Sequence, residues 1–251
     1  MKIDILTLFP EMMDAVLSTS IIGRAREKGL LDIHLINIRD YSENKHKSVD
    51  DYPFGGGAGM VMQTQPVFSA LRDIKAEGNR IIYLSPKGKV FNQEKAIELS
   101  SEERLIFLCG HYEGIDQRII EYWVTDEISI GDYVLTGGEI PAIVLIDAIG
   151  RMIPGVLSSE DAYKEESFYS DLLEYPQYTR PREFEGMEVP EVLFSGNHGE
   201  IEKWKFMQSL YITYEKRPDL FEKFIQNRHN LTIDKQKIIE IILNDLNNEK
   251  R

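Results

Sequence analysis

Apolar residues along the first 150 positions fall into two alternating rhythms. Short runs rich in Ile, Leu, Val and Phe occupy 3–8, 32–38, 80–84, 104–109 and 127–130, each bounded by polar or turn-forming residues, as strands are. Between them, 11–18, 21–28, 66–77, 93–99 and 115–123 carry helix-like patterns, and 140–151 predicts a further helix that Pro154-Gly155 ends. Thr64 and Asn92 stand where a side-chain oxygen would cap the third and fourth of these helices. Strands alternating with helices predict an α/β domain with a mostly parallel sheet covered on both faces.

The rhythm changes after Val156. LSSEDAYKEESFYSD, residues 157–171, is acidic and serine-rich and reads as an exposed linker. Beyond Arg182 no strand is predicted, whereas Ile201, Trp204, Met207 and Tyr211 share one helical face, as do Ile238, Ile239, Ile242 and Leu246. The expected organisation is a domain at 1–156, a flexible linker at 157–171 and a small all-α C-terminal domain at 172–251.

Composition narrows the function classes. The chain has 251 residues and a formal charge of −13, which argues against a nucleic-acid binder unless Lys and Arg cluster locally. They do: Arg24, Arg26 and Lys28 share a helix, Arg39, Lys45, His46 and Lys47 lie close together, and Arg180 and Arg182 bracket Pro181. Cys109 is the sole cysteine, so an intrachain disulfide is excluded and a cysteine-based zinc site is not expected. His34, His46, His111, His198 and His229 show no metal-ligand spacing, and no metal site is predicted. The opening MKIDILTLFPE is too short in its apolar run for a signal peptide, and no stretch has the roughly 18 apolar residues of a membrane span. A cytoplasmic protein with no membrane partner is expected.

Glycine placement points to a site. ISIGDYVLTGGEIPA, residues 128–142, begins as a strand and then spends Gly131, Gly137, Gly138 and Pro141 where regular structure would refuse them. SPKG (85–88) and CGHYEGID (109–116) likewise follow strand ends, where open parallel sheets hold ligands. FGGGAGM (54–60) fits neither the dinucleotide fingerprint nor a phosphate-binding P-loop, and reads as a flexible or closely approached loop. No G-x-S-x-G elbow is present, so covalent hydrolysis has no support.

Taken in order, LFPEMMDA (8–15), VDDYPFGGGAGMVM (49–62), YLSPKG (83–88), CGHYEGID (109–116), SIGDYVLTGGEIPA (129–142), RMIPGVL (151–157), ESFYSDLLEYPQYTRP (166–181) and GMEVPEVLFSGNH (186–198) resemble the bacterial tRNA (guanine-N1)-methyltransferase family, TrmD. The resemblance spans essentially the whole chain. It implies a SPOUT-class catalytic domain with a deep trefoil knot, S-adenosyl-L-methionine as methyl donor, and a homodimer whose active sites draw on both subunits. The substrate it implies is tRNA, methylated at N1 of the guanosine immediately 3′ of the anticodon (position 37). Mg²⁺ is a further cofactor that the resemblance allows.

Residue by residue, the resemblance implies that Ile130, Tyr133 and Leu135 wall an adenine pocket beside Ser85 and Pro86. Gly110, Gly131, Gly137 and Gly138 would give clearance to ligand and to chain crossing chain, and Tyr112, Glu113, Asp132, Val134 and Pro141 complete the donor site. Glu166 takes the position of the general base and Arg151 that of the cation facing guanine O6, with Asp50, Gly56, Gly59, Arg180 and His198 toward tRNA. Two departures stand out: Glu166 occupies a place where the family commonly has Asp, with Glu165 beside it as a substitute, and His111 stands where Arg is frequent. The alternatives are a related knotted methyltransferase acting on another RNA site, a non-catalytic S-adenosylmethionine-binding module and, more remotely, a dehydrogenase.

Overall fold

The structure is a computed structural model describing residues 1–158, 166–169, 171–228 and 231–249, with side chains of the final helix described through 245. The chain divides into two compact units, Met1–Glu160 and Asp161–Arg251.

The first unit is built on five strands: β1 (Lys2–Thr7), β2 (Asp32–Asn37), β5 (Arg80–Val90), β6 (Arg104–Leu108) and β7 (Asp126–Ser129). They lie in the order β2-β1-β6-β5-β7, every neighbouring pair parallel. A two-residue pair, β3 (Asp50–Asp51) and β4 (Val61–Met62), stands apart as an antiparallel hairpin. Helices α1 (Pro10–Leu17), α2 (Ser20–Glu27), α4 (Gln93–Ser100) and α6 (Glu139–Gly150) bury Met13, Ile22, Leu99 and Ile146 against the sheet residues Ile3, Ile5, Phe107 and Ile82. On the opposite face α3 (Thr64–Asp73) and α5 (Gln117–Trp123) place Val67, Leu71 and Trp123 against Leu6, Ile106 and Ile81. Adjacent residues such as Ile5 and Leu6 therefore enter different cores, the consequence of a two-residue strand period with both faces covered.

The predicted strands and helices of this unit form with end shifts of a few residues. Asn92 caps α4, its side chain accepting from the Lys95 amide at 2.9 Å. Thr64 does not cap α3: Gln63 is the N-cap residue and Thr64 is already helical, with no side-chain capping bond. The strand expected at 80–84 continues to Val90, because Leu84 and Lys89 both pair with Ile128 and residues 85–88 bulge out between them.

The second unit contains α7 (His198–Lys216), α8 (Pro218–Gln226) and α9 (Ile233–Glu249). Leu210, Phe221, Phe224, Ile239 and Ile242 form its core together with Leu172. Ile201, Trp204, Met207 and Tyr211 are half-buried along α7, and Ile238 joins the core; the side chain of Leu246 lies outside the described residues. Contrary to the strand-free expectation, a short hairpin joins β8 (Glu183–Phe184) to β9 (Met187–Glu188). Its central residues Glu185 and Gly186 both have positive φ, 54° and 79°, as a two-residue hairpin turn requires. Two-residue strands carry no periodicity for a sequence pattern to reveal.

Candidate active site

Three segments meet at the carboxyl ends of β5, β6 and β7. The bulge at 85–88 is held close to β7: a Cβ on Gly88 would collide with the backbone of Glu127 and Ile128. The 109–116 loop is crossed by 137–138, where His111 and Gly137 form an antiparallel bridge and the Gly138 amide donates to the Gly110 carbonyl at 2.8 Å. The third segment turns at Ser129, whose hydroxyl is 3.1 Å from both the amide and the carbonyl of Gly131. Gly131 takes φ +143°, and a Cβ there would lie 2.7 Å from the Tyr133 ring.

The glycines thus do different work from one another. Gly138 lies against backbone, Cys109 Cα and the Gly110 nitrogen, so it serves the crossing of one chain segment over another. Gly110 makes room for the Tyr83 ring, Gly131 for Tyr133, and Gly137 for His111 and the Glu139 carboxylate. Gly88, the last residue of the SPKG segment, belongs with Gly138: its neighbour is also backbone.

Together these segments enclose a cleft of about 340 Å³. Among the residues assigned to the donor site, Ser85, Pro86, Gly110, Tyr112, Glu113, Ile130, Gly131, Tyr133, Val134, Leu135, Gly137 and Pro141 all line it; Asp132 and Gly138 do not. Tyr112 holds a left-handed backbone at φ +60°, unusual for a bulky residue and of the kind that concentrates at functional sites. Its ring meets His111 edge-on at 5.1 Å, and His111 in turn meets Phe9 at 5.1 Å.

Lys87, Gln117 and Glu127 also line the cleft, and no motif reading singled them out. Glu127 Oε1 is buried without a hydrogen-bond partner. It stands opposite Tyr83 across the β5–β7 ladder, and burial first, then the Glu127 charge, push the Tyr83 phenol above its ordinary pKa. An apolar wall, a lining that includes Gly110, Gly131 and Gly137, and a carboxylate oxygen awaiting a donor suit an adenosine bearing a cationic tail. S-Adenosylmethionine fits that description.

The residues assigned to catalysis and tRNA are distributed over both units. Arg151 is the C-cap residue of α6, its amide donating to the Asp147 carbonyl at 3.1 Å. Glu166 belongs to the second unit and lines a separate cavity of about 460 Å³ with Leu172, Tyr175, Lys203, Lys205 and Phe206. Glu165, the alternative base, and most of the expected linker lie outside the described residues. Asp50, Gly56 and Gly59 share the arm formed by β3, β4 and their connection, while Arg180 and His198 are exposed in the second unit, His198 opening α7 after the Asn197 cap. Gly59 abuts the Glu113 side chain, which a Cβ there would displace.

Among the described residues, no cluster of three or more His, Cys, Asp or Glu side chains is arranged to hold a metal ion, and no helix is long and apolar enough to cross a membrane.

The family profile described as tRNA (Guanine-1)-methyltransferase TrmD matches residues 1–223. A protein of Alkaliphilus metalliredigens named tRNA (guanine-N(1)-)-methyltransferase is 63% identical over 227 residues, covering 88% of this chain and 92% of that protein. Proteins of the same name from Staphylococcus carnosus and Clostridioides difficile are 57% and 58% identical, covering 96% and 89% of this chain and 96% and 98% of their own. The profile match takes in all three loops of the cleft, the arm beside it and both positions assigned to catalysis, and the chain belongs to the tRNA (guanine-1)-methyltransferase family TrmD.

Proposed function

We propose that this chain transfers the methyl group of S-adenosyl-L-methionine to N1 of the guanosine immediately 3′ of the anticodon in tRNA. The observation that carries the reading is the cleft at the ends of β5, β6 and β7, lined by the donor-site motifs of a family that spans nearly the whole chain.

The donor supplies an electrophilic methyl on a sulfonium sulfur. The chain's part is to fix that group and to ready the acceptor. Ile130, Tyr133 and Leu135 offer the adenine an apolar wall, with Ser85 and Pro86 alongside. Guanine N1 carries a proton at neutral pH and is a poor nucleophile while it does. Glu166 takes that proton as N1 attacks, its carboxylate becoming the carboxylic acid and later releasing the proton to solvent. Negative charge that gathers on O6 meets the Arg151 guanidinium. A donor bound in the cleft would keep the electron pair of its S–CH₃ bond as the methyl is passed on, so the transfer would need no oxidant or further reactant. Holding donor and acceptor in line supplies much of the remaining acceleration.

Three finer features belong to the reading. The first is the deep knot, supported by the close crossing of 137–138 over 109–110, where Gly138 lies against the Cys109–Gly110 backbone. The second is a homodimer, supported by an apolar face on the first unit. Phe9, Met12 and Val16 on and beside α1 are exposed, as are Ile140 and Val144 on α6, a helix apolar on nearly every side and packed against α1. A shared active site would bring Glu166 of one subunit to Arg151 of the other. The third is a tRNA-binding role for the second unit, supported by the exposure of Arg180, Arg182 and His198.

The test is transfer of a labelled methyl group to a tRNA transcript, compared with a transcript carrying adenosine at the target nucleotide. Label in 1-methylguanosine with the first and none with the second is expected; equal labelling of both would overturn the reading.

A further inference from the structure

The arm at 49–62 has a feature that the chemistry above does not use. Its base is rigid: Val49 and Met62 are fully buried, Asp50 and Asp51 pair with Met62 and Val61, and the Gln63 amide donates to the Val49 carbonyl at 2.7 Å. A third strand-like segment fastens the arm to the cleft wall. The Glu113 amide donates to the Met60 carbonyl at 3.0 Å, the Met62 amide to the Gly114 carbonyl at 3.0 Å, and the Asp116 amide to the Met62 carbonyl at 3.1 Å. Glu113, Gly114 and Ile115 themselves line the cleft.

From this fixed root the tip carries two aromatic residues into solvent. Tyr52 is 79% exposed and Phe54 101%, the most exposed of the large apolar side chains described. Gly55, Gly56, Gly57 and Gly59 follow with positive φ, and a Cβ on any of the first three would meet nothing. At that exposure nothing in the unit covers the Phe54 ring. The whole free energy of burying that ring is still to be gained on binding.

We infer that Phe54 stacks on a nucleobase of the tRNA beside the target guanine, holding the target out of the stack so that its N1 edge reaches the cleft. Charge decides the chemistry of the occupant. Residues 48–62 contain Asp50 and Asp51 and no Lys or Arg, so this tip is unsuited to phosphate, whereas an aromatic ring suits the face of any base. Geometry decides which base. An enzyme acting on a base within a stacked loop must extrude it, leaving the face of a neighbour bare. An aromatic tip on an arm whose root is hydrogen-bonded to the cleft wall is placed to cover that face. Phe54 is on this account a positioning residue, and the inference rests on the methyl-transfer reading above.

The experiment uses the full-length enzyme with a tRNA transcript and three measurements on Phe54→Ala and Phe54→Trp: donor affinity by calorimetry, KM and kcat for tRNA, and oligomeric state by sedimentation. Phe54→Ala should raise KM for tRNA about 5- to 150-fold, the size of one lost base–aromatic stack. Phe54→Trp should restore KM to within about threefold, because its ring also stacks. Donor affinity and oligomeric state should match the unsubstituted enzyme in both. An unchanged KM in the alanine variant, a tryptophan variant as impaired as alanine, or a change in oligomeric state that makes Phe54 a subunit contact would each overturn the inference. Failure of the unsubstituted enzyme to methylate tRNA would instead count against the functional reading itself.

Discussion

The Gly138 amide donates to the Gly110 carbonyl at 2.8 Å, and the two segments pass so closely that Gly138 has no room for a side chain. A Cβ on Gly138 would lie 2.8 Å from Cys109 Cα and 2.9 Å from the Gly110 nitrogen. The φ of Gly138 is −83°, open to any residue, so the objection is steric and not conformational. Because both neighbours are backbone, they cannot swing aside. Gly138→Ala is expected to lower stability by about 1–3 kcal/mol, the usual range for forced overpacking, and to weaken donor binding at the cleft the crossing shapes. Denaturant unfolding and calorimetry measure both; an alanine variant matching the unsubstituted enzyme in each would remove the crossing from the account of the site.

Glu166 offers a cleaner separation of binding from chemistry. If its carboxylate removes the N1 proton, Glu166→Gln should reduce single-turnover methyl transfer by about 10²-fold or more while leaving donor affinity within twofold. Transfer at the normal rate would assign the base elsewhere.

Glu127 supplies a binding prediction that involves no turnover. Its Oε1 is buried at the edge of the cleft with no partner, and a cationic or N–H-bearing donor would satisfy it. Glu127→Gln should weaken S-adenosylmethionine binding about tenfold, or roughly 1.4 kcal/mol. Calorimetric titration of the donor alone decides the matter, and equal affinities would mean that the oxygen faces no ligand.

At the opposite end of the sheet, Asp126 tests the fold. Hydrogen bonds from Arg80 hold its carboxyl at about 2, below the ordinary 3.8, with burial opposing and Thr125 assisting. A depressed carboxylate pKa stabilises the folded state above the unfolded value, and that contribution disappears as pH falls through the folded value. Asp126→Asn should therefore cost about 2 kcal/mol near pH 7, with the gap closing between about pH 4 and 2. Urea midpoints across that range check it; a gap independent of pH would show that the ionised carboxylate is not what stabilises.

The alternation of Ile3, Ile5 and Leu6, the helical faces of α1 to α6 and the Asn92 cap were legible because each depends on residues within one or two turns of themselves. Thr64 misled because a Thr before an apolar run looks the same whether it caps a helix or begins one. The hairpins at β3–β4 and β8–β9 were invisible, being too short to display a period.

The sequence by itself determined the sheet, the helices that cover it and, through motifs in register, the family. Chain order also marked the three loops of the cleft, since turn-rich segments after parallel strands are where such sheets hold ligands. Only the tertiary structure decided what each loop glycine is for, because that depends on which atoms arrive from distant positions. Gly138 faces the Cys109–Gly110 backbone, Gly88 faces Glu127, and Gly110 faces a tyrosine ring. Tertiary structure likewise left Glu127 Oε1 without a partner and Phe54 without cover. Burial and close approach are properties of pairs brought together by folding, and no single residue type or local spacing encodes them.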